Sequence, residues 1–306
     1  MLEKYLDLPR FKLGGVLNSF SAALDKGRFS IRRDLSLIFL CGANKSGLTP
    51  SERRFFLKKS IEKELPHARI VYAEAVMEEL AKHGKTKNLL DIEFQISKIA
   101  DWILIVLESY SSFCELGAFS HKSSRDKLIV VNDNRYQSQP SFINHGPIQA
   151  ITEDCSLDRV VWYPMSDDGV YVRDAIGMAL PGVLKTLRHV KARGKIDKES
   201  CLPSSTSQTA LFFLHDIIYL CGPITHSETI LIYSKIFGDQ SFDEVKALRG
   251  ILHASNLIES IMVGAEHSYI SRTTETFINF ESGASNILSA FRRYHLKHNP
   301  QRLINA

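Results

Sequence analysis

Short, mostly apolar runs alternate with longer segments whose apolar positions recur every three or four residues through the first two-thirds of the chain. The runs are residues 35–41, 68–72, 102–107, 127–131 and 159–163. Each is too short for a buried helix, so the pattern predicts strands covered on both faces. Residues 52–65, 74–82, 89–100 and 114–123 carry the helical period instead. Within 89–100 that period turns Leu90, Phe94, Ile96 and Ile99 or Ala100 inward. Thr49-Pro50-Ser51-Glu52 reads as a capping box with proline at the first helical position, and Pro66 and Gly84 read as stops. A further helix is predicted over 170–193, kinked near Pro181 and ending in the basic run from Arg188 to Lys195. Strands and helices alternating through short connections specify a Rossmann-like α/β fold, a parallel sheet flanked by helices on both faces.

The flanking segments follow other patterns. Residues 1–34 hold two short amphipathic pieces around Gly14-Gly15 and a basic turn, Lys26-Gly27-Arg28, which predicts an N-terminal helical extension to the 35–195 domain. Residues 196–208 have the serine-rich composition of a linker. In 209–306 three helices are predicted (209–220, 227–237, and one opened by Ser241-Phe242-Asp243-Glu244 and ending near 255). Two strand-like pieces, 257–263 and 268–272, flank Gly264-Ala265, and a closing helix spans about 274–297. Three helices followed by a hairpin is the order of a winged helix-turn-helix. On its third helix Lys246, Arg249 and His253 fall on one face and Val245, Leu248 and Leu252 on the other. The basic face reads either as a nucleic-acid contact or as a solvated surface.

Composition narrows the classes. The 306 residues are 44% hydrophobic and 24% charged, as in ordinary globular proteins. Asp101, Glu108, His215 and Asp216 interrupt the longest apolar stretches, and the charged N-terminus lacks a signal-peptide core, so no membrane association is expected and the cytoplasm is the default. The five cysteines contain no C-x-x-C pair, which argues against a zinc site or a disulfide framework, and Cys114 reads as a small buried residue. A net charge of +4 permits a nucleic-acid partner without requiring one.

No P-loop, H-E-x-x-H or G-x-S-x-G motif is present, and Gly42-Ala43-Asn44-Lys45-Ser46-Gly47 departs from G-x-G-x-x-G. What remains is a set of acids around the open end of the sheet, namely Glu74, Glu93, Glu108 and Glu115. Glu115 follows the third strand and is expected in the first turn of a helix, where open sheets place their ligands. Retaining cleavage of a glycosidic bond needs one carboxylate to attack the anomeric carbon, with a partner nearby. Ser111 and Ser112, just ahead, are placed to hold that carboxylate or a sugar hydroxyl. Spacing alone favours the other reading, in which Glu115 is an acid that stabilises the helix dipole.

Leu40-Cys41-Gly42-Ala43, the segment from Ser111 through Glu115 to Ala118, and an acid eight residues ahead of Asp101 resemble the nucleoside 2-deoxyribosyltransferase fold. In that family the glutamate of Gly-Thr-x-x-Glu-x-Gly forms a covalent ribosyl intermediate. The resemblance places it at Glu115, the threonine at Ser112 and the second acid, which handles the leaving base, at Glu93. The aspartate six residues before the nucleophile becomes Ser109, a departure for which Glu108 is the candidate substitute. A wider resemblance adds Ile38-Phe39-Leu40-Cys41-Gly42, Glu115-Leu116-Gly117-Ala118-Phe119-Ser120 and Ser141-Phe142-Ile143-Asn144-His145-Gly146-Pro147, followed by a winged helix. In this it resembles the type II-A retron effectors, encoded beside a retron reverse transcriptase in bacterial anti-phage systems.

That resemblance implies a toxin held inactive by the reverse transcriptase and its RNA-linked multicopy single-stranded DNA. It implies an N-glycosidase that hydrolyses NAD as substrate, with no bound cofactor. Glu115, Glu93 and Ser112 would then be catalytic. Gly42, Ala43, Asn44, Lys45 and Arg53 or Arg54 become candidates for the diphosphate, with Glu74, Glu108, Ser111 and Asn144 lining the substrate. Lys246, Arg249 and His253 would contact the multicopy DNA. Self-association is expected, because the related transferases complete their sites across a subunit contact. A salvage deoxyribosyltransferase and a DNA-binding regulator with a nucleotide-sensing domain are the alternative functions.

Overall fold

A computed structural model of the chain describes residues 2–8, 11–27, 29–31, 35–82, 88–189, 196–263, 266–281 and 283–304. The expected break at Gly84, Arg28 of the basic turn, Gly264-Ala265, and the run from Val190 to Lys195 lie outside the described residues. The chain forms two compact units, residues 34–192 and residues 1–33 with 193–306.

Helices α1 (Leu2–Asp7) and α2 (Lys12–Asp25) and strand β1 (Phe29–Ile31) open the chain and belong to the unit that contains the C-terminal third. Gly14 lets α1 and α2 meet closely, since a Cβ there would sit 2.0 Å from the Leu6 carbonyl oxygen.

The α/β unit begins with β2 (Ser36–Cys41), a small hairpin of β3 (Asn44–Ser46) and β4 (Thr49–Pro50), and α3 (Glu52–Glu64). Next come β5 (Ala68–Val71), α4 (Ala73–Lys82), α5 (Leu89–Ile99), β6 (Trp102–Val106) and α6 (Tyr110–Phe119). Strand β7 (Leu128–Asp133), α7 (Gln149–Asp154), β8 (Val160–Tyr163) and α8 (Leu180–Leu187) complete it. The five expected strands form one parallel sheet in the order β5-β2-β6-β7-β8, with Ile38 opposite Trp102 and Phe39 opposite Ile103. Leu37–Leu40 and Ile103–Val106 are fully buried, as strands covered on both faces must be. The strand order reverses between β2 and β6. Connections leaving their carboxyl ends therefore diverge and open a crevice.

Three local expectations change. Ser51, not Thr49, caps α3 by accepting the Arg54 N–H, while Pro50 ends the preceding hairpin. On α5 the buried stripe is Ile92, Ile96 and Ile99, which leaves Leu90 67% and Phe94 56% exposed. The long helix over 170–193 is instead a 3₁₀ turn, Ala175–Met178, and the shorter α8. Pro181 lies in the first turn of α8, where its missing N–H costs nothing, so it starts a helix and does not kink one.

The other unit continues with α9 (Gln208–Cys221), β9 (Ile224–Thr225), α10 (His226–Phe237), α11 (Val245–Ala254), β10 (Ile258–Val263) and β11 (Glu266–Ser271). It ends with β12 (Ile278–Phe280), α12 (Ala284–His298) and α13 (Pro300–Ile304). Helix, strand, two helices and two strands, with the antiparallel sheet β10-β11-β9, is the winged helix-turn-helix arrangement. Beyond it, β1 pairs antiparallel with β12, joining Phe29 to Phe280 and Ile31 to Ile278. The closing helix thus starts at Ala284, because part of its expected span is a strand. The segment expected as a linker holds two 3₁₀ turns and the buried Cys201. Ser241 bonds to Asp243, so α11 has no capping box; the box in this unit is Thr225 with Glu228, on α10. Among the described residues no helix is long and apolar enough to cross a membrane.

Asp216 ties these pieces together. Its carboxylate is wholly buried and accepts the N–H groups of Phe277 and Ile278 at 2.8 and 2.7 Å, with His215 Nδ1 at 2.8 Å. Asp216→Ala strands two backbone donors where water cannot reach them. The expected loss is about 3 kcal/mol or more, read by urea denaturation. A loss below about 1 kcal/mol would mean this network carries little of the fold.

Candidate active site

The crevice is built from adjacent arginines on α3. Arg54 is 1% exposed, and its two terminal nitrogens donate to Glu74 Oε1 and Oε2 at 2.9 and 3.1 Å. They also donate to the Leu40 and Ala43 carbonyls and to Asn44 Oδ1, and the guanidinium lies over the Tyr72 ring. Arg53 is turned the other way, onto Asp174, the Ser166 carbonyl and Glu108. Glu108 Oε1 in turn accepts from the Ala43 N–H at 3.0 Å and the Ser51 hydroxyl at 2.6 Å. Gly42 is needed between them: its φ is +152°, and a Cβ there would lie 2.8 Å from Glu108 Oε1 and 2.9 Å from Arg54 Cδ.

Several expected contacts are therefore already occupied. Arg53 and Arg54 are not available to a diphosphate, since buried carboxylates take their charge. Glu108, with a fully buried side chain, fastens the ends of β2 and β6 together. Both the N–H and the carbonyl of Ala43 are used within the protein. Asn44 also bonds to Glu74, and Lys45 pairs with Glu52 at 2.6 Å. The Asn144 amide nitrogen donates to the Tyr136 and Gln139 carbonyls, which holds the loop ahead of the Asn144–Ile148 π-helical turn.

Ser112 has a similar role. Its hydroxyl accepts from the N–H groups of Glu108 and Ser109, both at 3.1 Å, and donates to the Ser109 carbonyl at 2.7 Å. One donor and two acceptors are all a hydroxyl has. With Ser109 as N-cap, Ser112 forms a capping box that sets where α6 begins. Ser111 is exposed and bonds only to the Ser109 hydroxyl among the contacts described. Cys114 is exposed, contrary to its small buried reading, because it lies on the outer side of α6 from Leu116 and Phe119.

Because α6 begins at Tyr110, Glu115 lies in the second turn and not the first. The dipole acts within the first turn, so it does not account for this acid. The environment also runs against a stabilised carboxylate. Burial, followed by the nearby Glu93, pushes the Glu115 carboxyl up to about 8. Burial and the charge of Glu74 bring Glu93 to about 7. Glu74 itself is held below the ordinary range: burial opposes this, but the hydrogen bonds and charge of Arg54 outweigh it. Glu115 Oε2 is buried and has no hydrogen-bond partner. The site thus contains two acids bonded to an arginine, Glu74 and Glu108, of which Glu108 is still raised by its burial, and two, Glu93 and Glu115, that form no ion pair among the described residues.

The residues expected on the winged helix do not form one exposed stripe. Lys246 and His253 are partly exposed, but Arg249 is 4% exposed and its guanidinium lies 4.2 Å from the centre of the Tyr269 ring. Arg249 follows Val245 by four residues and precedes Leu252 by three. It therefore borders the apolar stripe and turns inward.

The Glu115 environment predicts a pH-dependent stability. A carboxyl at about 8 in the folded state and near 4.3 in the unfolded chain binds more protons when folded across that interval. Stability contributed by this group is full below about pH 4.3 and falls as the pH rises towards 8. Glu115→Gln removes the titration, so its Tm should match the wild type near pH 4.5 and exceed it at pH 8. A variant less stable than the wild type at pH 8 would show that Glu115 is a satisfied ion.

The family model described as "STM3845 retron effector protein" matches residues 49–260, and so includes both the α3–α6 crevice and most of the winged helix. An Escherichia coli protein, named for retron Ec73 as a candidate ribosyltransferase/DNA-binding protein, is 36% identical over 296 residues, 93% of this chain and 92% of that protein. A second E. coli protein, named in the same terms for retron Ec86, is 35% identical over 173 residues, 53% of each chain. With the family match covering more than half of the chain and a relative aligned along nearly all of it, the chain belongs to the STM3845 retron effector family.

Proposed function

We propose that this retron effector cleaves the N-glycosidic bond of a nucleotide in anti-phage defence, with NAD as substrate and Glu115 as nucleophile. The observation that carries the reading is the charge balance of the crevice. Arg54 is neutralised by Glu74, and Arg53 by Glu108 and Asp174, which leaves Glu93 and Glu115 to repel each other. A ligand that is cationic at its reacting end relieves that repulsion and ionises Glu115 as it binds. The nicotinamide ring of NAD has such a charge, whereas the base of a deoxynucleoside is neutral.

In the proposed reaction a Glu115 carboxylate oxygen bonds to the ribose C1 while the C1–N bond breaks. The bond pair passes to the ring nitrogen, so nicotinamide leaves neutral and needs no proton. Water then attacks C1 of the ester, its proton passes to Glu93, and ADP-ribose leaves with Glu115 restored. Glu93 acts on the water and not on the leaving group, which fits an acid near neutrality. Ser112 positions Glu115 through the start of α6. Ser111, exposed on α6, is the residue proposed to meet the rest of the substrate, since Asn44 is taken up by Arg54 and Glu74 and Lys45 by Glu52. Asn144 acts through the loop it holds.

Reverse transcriptase and multicopy DNA are proposed as the partners that hold the effector inactive in the cytoplasm, with Lys246 and His253 among the DNA contacts. The names of the Escherichia coli relatives, which join ribosyl transfer to DNA binding, support this pairing of roles. The exposed Leu90 and Phe94 on the helix that bears Glu93 support self-association beside the site.

The test is nicotinamide release from NAD by the purified protein, with and without the reverse transcriptase complex, measured from pH 5.5 to 9.5. The expected kcat/KM rises about tenfold per pH unit and levels near pH 8, as Glu115 ionises in the free protein. Glu115→Gln should lose activity by 10³-fold or more. A profile that falls above pH 7, with base exchange on deoxynucleosides, would instead identify Glu93 as the acid of a salvage transferase. No turnover of either substrate, combined with specific duplex binding, would support a regulator.

A further inference from the structure

In the unit that contains the C-terminal third, α1, α2 and α12 enclose a cleft of about 350 Å³. Its wall is aromatic. The Tyr5 ring lies 4.1 Å from Phe11, 4.6 Å from His298 and 5.3 Å from Tyr294, measured between centroids. Its rim is cationic: Lys12, Arg293 and Lys297 line it and are all exposed. No aspartate or glutamate is among the described residues that line it. Another cavity in the same unit, of about 550 Å³, is lined by Glu3, Asp7 and Asp239 with Lys235 as its cation, so its charged lining is mainly acidic. The contrast shows that the rim's charge is local and not a property of the whole surface.

The shape is that of a groove along a helix. Asn286, Ala290, Arg293 and Lys297 succeed one another at three- or four-residue intervals on α12, so they form one face. From Asn286 to Lys297 that face extends for about 16 Å at 1.5 Å per residue. At roughly 3.4 Å per stacked nucleotide, this accommodates about five nucleotides.

We infer that this cleft binds single-stranded nucleic acid, with bases against the Tyr5–Phe11–His298 wall and phosphates on Lys12, Arg293 and Lys297. Aromatic faces beside a cationic track are what an unpaired strand requires, because every base has a face to stack and every linkage a charge. A duplex keeps its base faces covered and would use only the rim. A protein partner complementary to the rim would need acidic side chains, and it would leave the partly exposed Tyr5, Phe11 and His298 rings unused. The partly buried α11 offers only Lys246 and His253 beside the inward-turned Arg249, so this cleft presents a nucleic acid with more exposed charge than the winged helix's third helix does. The inference does not depend on the proposed glycosidase chemistry.

The test is fluorescence anisotropy on the full chain, using a 5′-fluorescein single-stranded 12-mer DNA and its duplex, between 50 and 300 mM salt. The wild type should prefer the single strand. Arg293→Glu with Lys297→Glu should weaken it at least tenfold and lower the slope of log K against log salt by about 1.4, for two phosphate contacts. Lys59→Glu with Lys122→Glu makes the same change in net charge at exposed positions of the other unit, and should leave affinity within about threefold. Phe11→Ala should weaken binding severalfold with an unchanged salt slope, as lost stacking does. The inference fails if the two charge-reversal pairs behave alike, if duplex binds as tightly as single strand, or if the wild type binds neither. Thermal unfolding of each variant confirms that the comparison is made between folded proteins.

Discussion

The guanidinium of Arg54 lies at the carboxyl end of β2, where Leu40 and Ala43 carbonyls and both oxygens of Glu74 take up its terminal N–H groups. Breaking such a pair from one side exposes a buried charge and typically costs about 3–5 kcal/mol. The pair is therefore a fixed point, and the chemistry of the crevice follows from it. Burial raises Glu115 and Glu93, and Arg54, held by Glu74, offsets this only in part, so both acids lie above their ordinary range. Next to it, Arg53 does the same for Glu108 and Asp174 and ties the loop after β8 to the end of β6. The result is a frame around two acids that form no ion pair among the described residues. Pre-organised but unsatisfied groups of this kind are what a site that reacts with a cation needs, and they are maintained at the expense of stability.

The other unit solves a different problem. A winged helix-turn-helix has a small core, and here the N-terminal segment enlarges it. Helix α2 packs on α10 and α12, and β1 adds to β12 at the far end of the sequence. The buried carboxylate of Asp216 satisfies the backbone just ahead of that strand. By bringing α1 and α2 beside α12, the same arrangement also creates the cleft whose rim and wall come from both ends of the chain. Fold completion and surface chemistry have one cause there.

What could be read from the residues alone divides along physical lines. The five strands were legible because parallel strands covered on both faces are written as unbroken apolar runs, and residues 102–107 are the clearest of them. The carboxylate cluster was legible too, since Glu74, Glu93, Glu108 and Glu115 all fall near the open ends of those runs. The division of labour within the cluster was not. Whether an acid is satisfied depends on which arginine reaches it, and Arg53 and Arg54 looked like phosphate ligands because nothing local marks a buried arginine. The phase of α5 went wrong for a related reason: Leu90 and Phe94 are apolar, but their stripe faces outward. Ser112 was recognised as important, yet its Ser109 partner shows that a cap spends its hydroxyl on backbone. The placement of β1 beside β12 rests on contacts roughly 250 residues apart, which no periodicity encodes.

The account turns on Glu115 forming a covalent ester to the ribose, and stereochemistry tests that most directly. Turnover of NAD in the presence of methanol yields a methyl glycoside of ADP-ribose whose anomeric configuration is readable by proton NMR. Two successive displacements at C1 predict retention, the β-methyl product, with none formed by Glu115→Gln. An α-methyl product would mean a single inverting attack by solvent. In that case Glu115 would act as a base or an electrostatic partner, and the covalent account would be wrong.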